Sequence, residues 1–297
     1  MLYKTKNKEL GRTFVISKPL LVSAQDAYAR PSEGKLWFST TSTVWRIDEL
    51  EKRRVRDWRR MLGEDGHTGT RAGTMRADHN SSYTGTVSIF PAPLVEWILL
   101  RYGGKPGGRI LDAFAGGPPR GLVSALMGYK YVGVELRQEQ IDENQVVLGR
   151  LGLLADYVLG DGRYLDDLDK DFDCGLTCPP YYNLEKYSDL PDDLSNMGSY
   201  EEFNAAIFFN AVSYFEHLKP GAFLAYVVGN FRDKSGELID FRGHTVANFR
   251  EAGFLFWQDI IASKNFGSAA IRSTNAWLGQ KLIPLHEHVL IFRKPEK

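Results

Sequence analysis

From Val87 onward, short apolar runs alternate with longer stretches whose apolar residues recur at helical spacing. The pattern predicts strands over Arg109–Phe114, Tyr131–Leu136, Tyr157–Leu159, Phe172–Thr177, Ala222–Val228, Phe254–Ala262 and His288–Phe292. Between them it predicts helices over Leu94–Leu100, Pro118–Met127, Gln138–Arg150, Tyr200–Leu218 and Phe241–Ala252. Proline at a helix start and glycine in a turn supply the punctuation, as in Pro91-Ala92-Pro93 and Gly103–Gly108. Alternating β and α predicts a doubly wound α/β sheet. A polar insert, Ser263–Glu287, separates the last two strands.

The first 86 residues read differently. Met1–Gly34 has no clear period, Lys18–Val22 is compatible with a short strand, and Leu36–Val44 with an edge strand or a loop. Ile47–Leu62 reads as a helix with Val55, Trp58 and Leu62 on one face and a basic remainder: Lys52, Arg53, Arg54, Arg56, Arg59 and Arg60. Gly63–Thr86 is a polar, glycine-rich loop. The division expected is an extension over 1–86 and a main domain over 87–297 that carries the insert 263–287.

Lys+Arg 37 against Asp+Glu 37 leaves no net charge, so a nucleic-acid surface would have to be local, as on the basic helix. With 2 Cys in 297 residues, Cys174 and Cys178, a disulfide framework is excluded, two thiols alone make a poor metal site, and a reducing cytoplasm fits. The N-terminus lacks the apolar core of a signal peptide, and no run is long enough to span a membrane.

In a doubly wound sheet, ligands bind beyond the carboxyl ends of the strands. The polar residues of interest fall there: Asp112 to Gly117, Glu135, Asp161 and Cys178. Gly116 and Gly117 let backbone approach a ligand closely. Glu135 can take hydrogen bonds from a ribose, which by itself also fits a dinucleotide site. Pro118 and Pro119, however, remove the N–H groups that would cradle a pyrophosphate. An adenosine without phosphates fits better, and S-adenosylmethionine is such a ligand. Asp161, in Gly160-Asp161-Gly162, is placed to take the adenine amino group. The strand ending in Thr177 runs into Cys178-Pro179-Pro180-Tyr181. Its prolines force a stiff turn, the Pro179 carbonyl faces outward, and Tyr181 offers a stacking face. Taken alone, that tetrapeptide is also compatible with a proline-stopped strand end carrying surface tyrosines.

Together these residues resemble the amino-methylating DNA methyltransferases, which act on adenine N6 or cytosine N4. SIFPAPLVEWIL (from Ser88, with Phe90) is similar to the segment that packs against the methionine end of their cofactor. DAFAGG (Asp112, Phe114, Gly116, Gly117) is similar to their cofactor loop, VGVEL and LGDGR to the acidic strand ends, and TCPPYYN to their S/D-P-P-Y motif. Tyr187–Ser195, YSDLPDDLS, resembles a phage-borne branch. The resemblance implies a class I methyltransferase Rossmann-like fold, mostly parallel with an antiparallel last strand. It implies S-adenosylmethionine as cofactor, double-stranded DNA as partner, a flipped base, and no metal. Catalytic roles then fall to Cys178, Pro179, Pro180 and Tyr181, in a monomer or homodimer. DNA contacts fall to Arg53 and Arg56 on the basic helix and to Lys264 and Arg272 in the insert. This chain departs from the pattern at Pro118-Pro119 and at Cys178, where the family has Asp, Asn or Ser. Other readings are a cysteine nucleophile for cytosine C5, a related enzyme acting on RNA or a protein amide, and a DNA-binding relative without activity.

Overall fold

The computed structural model describes residues 2–7, 12–17, 44–45, 90–263 and 276–297. Two strands, β1 (Leu2–Asn7) and β2 (Arg12–Ser17), pair as an antiparallel hairpin. No clear period is legible in this segment because its strands are built from Lys, Thr and Asn as much as from apolar residues, while pairing uses the backbone alone. The basic helix expected over Ile47–Leu62, the strand at Lys18–Val22 and the loop Gly63–Thr86 lie outside the described residues, as do Ser88, Arg53, Arg56, Lys264 and Arg272.

An eight-stranded sheet carries the rest. The strand β3 (Val44–Trp45) lies at one edge, drawn from the stretch expected to be an extension. The other strands are β4 (Arg109–Asp112), β5 (Lys130–Glu135), β6 (Asp156–Leu159), β7 (Phe172–Thr177), β8 (Leu218–Val228), β11 (Leu255–Ser263) and β12 (His286–Arg293). A small hairpin, β9 (Phe231–Arg232) with β10 (Leu238–Ile239), follows β8. The spatial order is β3-β11-β12-β8-β7-β4-β5-β6. Every neighbouring pair is parallel except those of β12, which runs antiparallel to both β8 and β11.

Among the described residues, five helices cover the two faces: α1 (Ala92–Tyr102), α2 (Pro119–Leu126), α3 (Gln138–Arg150), α4 (Tyr200–His217) and α5 (Phe241–Glu251). Because side chains alternate across a strand, each strand feeds two cores. Ile110, Cys174, Leu176, Ala225 and Val227 pack with Leu94, Ile98 and Leu122 of α1 and α2. Leu111, Phe172, Leu224 and Tyr226 pack with Phe203, Ile207 and Phe249 of α4 and α5. Helix α4 starts where Ser199 accepts from the Glu202 N–H, with Glu201 and Glu202 in the first turn and His217 in the last.

Candidate active site at the carboxyl edge of the sheet

Strand β4 ends at Asp112, and the loop to α2 is fastened by groups from four other elements. The Ala113 N–H donates to the Tyr214 hydroxyl of α4 at 2.8 Å. The Phe114 N–H is shared between Asp112 Oδ1 and Thr177 Oγ1, both at 3.2 Å. The Ala115 N–H reaches the Val134 carbonyl at 2.8 Å. Gly116 has φ +51°, in the left-handed region open to glycine at little cost. Its N–H donates to Glu135 Oε2 at 2.9 Å and its carbonyl accepts from Asn144 Nδ2 at 2.7 Å.

Asp112 is expected among the ligand-binding residues, and the structure shows what its side chain touches. Its carboxylate is fully buried and surrounded by donors of the protein itself. Thr177 Oγ1 donates to Oδ1 at 2.6 Å, while Arg120 Nε at 2.6 Å and the Tyr131 hydroxyl at 2.7 Å donate to Oδ2. Asp112 thus anchors the loop. Arg120, 5% exposed, sits beneath the loop. Its Nη2 donates to the Phe114 carbonyl and, at 2.9 Å, to the Ala115 carbonyl, and its guanidinium lies 4.9 Å from the centre of the Phe90 ring. Burial works against its charge, but the Asp112 carboxylate, Tyr131 and Cys178 together outweigh burial, and its pKa is raised. Burial, then Asp112, pushes the Tyr131 hydroxyl well above its ordinary value, so it stays a neutral donor.

Glu135 ends β5, nearly buried. Its two carboxylate oxygens each hold one backbone N–H, Oε2 that of Gly116 and Oε1 that of Arg137 at 3.0 Å. Each oxygen therefore keeps a lone pair for another donor. Burial raises its pKa, a shift partly offset by Arg137 and by these backbone N–H groups. Asp161, at the end of β6, is bound by its own neighbour: Oδ1 accepts from the Arg163 N–H at 2.9 Å and Oδ2 from Arg163 Nε at 2.7 Å. Arg163 continues to Asp192 at 2.7 Å, in the segment that follows the Pro-Pro turn. Gly162 has a separate reason to be glycine. A Cβ there would overlap the Ala113 carbonyl and lie 2.8 Å from the Phe114 ring.

The turn Cys178–Tyr181 leaves β7 directly beside this loop. Cys178 Sγ lies 4.0 Å from the Pro179 carbonyl oxygen and 3.8 Å from the Tyr181 hydroxyl. That hydroxyl donates to Glu287 Oε1 of β12 at 3.2 Å. Burial first, then Cys178 and Glu287, raises the Tyr181 pKa well above its ordinary value. The Tyr181 ring meets Phe241 edge-on at 6.0 Å, and Tyr182, at φ +50°, lies among Tyr200, Phe203 and Phe231. Among the described residues, no group of His, Cys, Asp and Glu is arranged to hold a metal ion, and no helix is long and apolar enough to cross a membrane.

Phe90, the loop Asp112–Gly117, Glu135, Asp161 and Cys178–Tyr181 therefore come to one edge of one sheet, where Phe114, Gly116 and Gly117 remain partly exposed. Sequence reasoning missed Arg120, Tyr131, Thr177, Asn144, Tyr214 and Glu287. Thr177 and Arg120 adjoin motifs and were within reach of it. Nothing local marks Tyr214 or Glu287.

Leaving aside the edge strand β3, the order β11-β12-β8-β7-β4-β5-β6, with β12 alone reversed, decides the architecture. The fold is that of the class I methyltransferases. No family model matches the sequence, and no curated protein matches it. Among solved structures, the cyclase SpnF is 18% identical over 78% of this chain and 88% of its own, with a TM-score of 0.50. TrmN from Thermus thermophilus is 16% identical over 71% of this chain, with a TM-score of 0.49, and the match spans only 50% of TrmN's length. A SAM-dependent methyltransferase from Methanosarcina mazei is 17% identical over 67% of this chain and 98% of its own, with a TM-score of 0.48. A cyclase among these neighbours makes the general point: the class I methyltransferase fold is an architecture, and the chemistry is decided by the site set on it.

Proposed function

We propose that this protein transfers a methyl group from S-adenosylmethionine to an exocyclic amino group, adenine N6 or cytosine N4, of a base flipped out of DNA. The observation that carries this reading is the Thr177 side chain. The residue before Cys178-Pro179-Pro180-Tyr181 bonds both Asp112 and the Phe114 N–H, so the two motifs are one rigid unit. The residues present fit the cofactor. Glu135 keeps acceptor capacity for ribose hydroxyls, Gly116 and Gly117 carry no side chain to hinder close approach, and Pro118 and Pro119 offer no N–H to phosphate. When bound, S-adenosylmethionine supplies a methyl group already activated on a sulfonium.

The chain itself supplies alignment. An exocyclic amine is a poor nucleophile because its lone pair is delocalised into the ring. Acceptors on its N–H bonds localise that pair as the new C–N bond forms and the donor's S–C bond breaks, and the proton then released from nitrogen passes to water. The Pro179 carbonyl takes this role, with the Cys178 sulfur, a weak acceptor, beside it. The Tyr181 ring provides the stacking face, and its hydroxyl is held by Glu287. The base must leave the duplex to reach such a turn. Arg53, Arg56, Lys264 and Arg272 are the proposed DNA contacts. The described end of the insert adds exposed Trp277, Leu278 and Leu282 next to Lys281, large side chains outside any core, as a contact surface would have.

The test is incubation of the purified protein with methyl-labelled cofactor and unmodified duplex DNA, followed by nucleoside mass spectrometry. N6-methyladenine or N4-methylcytosine is expected. Label appearing only in RNA or protein would reject the DNA reading. The appearance of 5-methylcytosine, with stable adducts on 5-fluorocytosine DNA, would make Cys178 a covalent nucleophile instead.

A further inference from the structure

Strand β12 runs against both of its neighbours, so its first residues, not its last, arrive at the carboxyl edge of the sheet. His288 pairs with Val228, the last residue of β8, and Glu287 stands one step beyond, beside Gly229. Gly229 is buried, and a Cβ there would lie 3.3 Å from the Tyr181 ring and 3.8 Å from Glu287 Cγ. The missing side chain leaves the room in which ring and carboxylate meet. The Tyr181 hydroxyl donates to Glu287 Oε1 at 3.2 Å, and Cys178 Sγ lies 3.8 Å from the same hydroxyl.

These contacts have one direction. A carboxylate oxygen accepts and does not donate, and burial keeps the Tyr181 phenol protonated. The single hydroxyl proton therefore goes to Glu287, and toward Cys178 the tyrosine presents a lone pair. The thiol is the donor of that contact, so its proton is committed to Tyr181 and its sulfur acts as an acceptor toward a ligand. Arg120 of α2 lies near enough to Cys178 for its charge to favour a thiolate, while Tyr187 and Tyr226, also near, are kept neutral by burial. Glu287 works against Arg120, because a thiolate would face a lone pair and, behind it, a carboxylate.

We propose that Glu287 is a positioning residue: through the Tyr181 hydroxyl it holds Cys178 as a neutral thiol whose sulfur accepts from the substrate amine, and it keeps the cysteine from acting as a nucleophile. The proposal rests on the amino-methyl-transfer reading above. It gives a physical reason for an inert cysteine at this turn. Nucleophilic reactivity belongs to the thiolate, and a chain of bonds running from thiol to phenol to carboxylate disfavours that form.

Alkylation by iodoacetamide over a range of pH, read by mass spectrometry on the full chain without cofactor or DNA, tests this. Cys174 is fully buried, and burial pushes its thiol up to about 12, so it stays unlabelled. Glu287→Ala lets the Tyr181 hydroxyl turn and donate to sulfur. Alkylation of Cys178 should then rise about tenfold near neutral pH, with its profile moved to lower pH. Glu287→Gln keeps a carbonyl acceptor and should recover most of the parent's slowness. Adding Tyr181→Phe to Glu287→Ala should remove the gain, since no hydroxyl is left to turn. An unchanged rate in Glu287→Ala overturns the proposal. So does a double variant as fast as the single one, which would mean that the carboxylate merely covers the thiol. In a second arm, Glu287→Ala should lower kcat for methyl transfer to duplex DNA by about tenfold, with most of the loss regained in Glu287→Gln. The affinity for S-adenosylhomocysteine should stay within about twofold; a parallel loss of affinity would make Glu287 a support of the fold and overturn its positioning role. A parent that transfers no methyl to DNA overturns the reading above, and the order of alkylation rates then decides for or against Glu287 by itself.

Discussion

Thr177 Oγ1 donates to Asp112 and accepts from Phe114, so a single hydroxyl couples the end of β7 to the loop after β4. Thr177→Val keeps the shape, removes both bonds and leaves a buried carboxylate oxygen short of a donor. A loss of about 1–3 kcal/mol in urea unfolding is expected, together with a weaker affinity for S-adenosylhomocysteine. Undiminished affinity would separate the two motifs functionally. One residue further on, Cys178→Ser should keep or raise methyl transfer, because a hydroxyl accepts better than a thiol. Cys178→Ala should lower it without abolishing it, since the Pro179 carbonyl remains. Tyr181→Ala should be far worse, as base–aromatic stacking contributes about 1–3 kcal/mol. Steady-state assays on DNA read this order. If the serine and alanine variants are both dead, the cysteine is a nucleophile and the amine mechanism fails.

Between elements, the β6 turn approaches the β4 loop closely. Gly162 packs under the Ala113 carbonyl, and its own carbonyl is held by Asn210 Nδ2 of α4 at 2.6 Å. Backbone cannot yield as a side chain can. Gly162→Ala should therefore cost about 1–3 kcal/mol, the usual range for overpacking, with a loss of ligand affinity; a thermal melt unchanged from the parent would contradict the packing. The strands β11 and β12 are tied differently. Asp259 of β11 accepts from His288 of β12 at 2.9 Å and from Arg242 of α5 at 2.8 Å and 3.0 Å. Burial pushes the Asp259 carboxyl up, but the bonds and charges of His288 and Arg242 outweigh it, and its pKa is lowered from 3.8. A depressed acid stabilises the fold above its unfolded pKa, and this contribution is lost as pH falls through the folded value. The window therefore lies below about pH 4. Arg242→Met should move the acid-unfolding midpoint to higher pH by circular dichroism. An unmoved midpoint would show that the pair adds nothing to acid stability.

At the scale of the molecule, net neutrality means that DNA binding must come from local charge. If Arg53 and Arg56 contact phosphate, Arg53→Glu with Arg56→Glu should weaken binding to duplex DNA and flatten its dependence on salt. Each lost phosphate contact removes roughly one released counterion from the slope. Titrations of fluorescent duplex at several salt concentrations measure this. An unaltered slope would move the DNA surface away from 47–62, with Lys264 and Arg272 next in line.

The local pattern determined which segments are strands and which are helices. Helix Gln138–Arg150 and strand Phe172–Thr177 stand where periodicity predicts them, and the other elements from Ala92 on differ mainly at their ends. Period, proline and glycine act on neighbours in sequence, so they can be read without a fold. The same is true of the clustering of Asp112, Glu135, Asp161 and Cys178 at strand ends, because parallel strands present their carboxyl ends on one side. The short β9–β10 hairpin and the β1–β2 hairpin escaped this reading because their strands are too brief or too polar to show a period. What each site residue touches was decided only in three dimensions. Asp112 and Thr177 are 65 positions apart, Ala113 and Tyr214 101, Tyr181 and Glu287 106. Whether Asp112 faces a ligand or is sealed by Arg120, Tyr131 and Thr177 depends on strand register and on how α2 packs beneath the loop. No periodicity carries that information, because register is a relation between strands and not a property of either one.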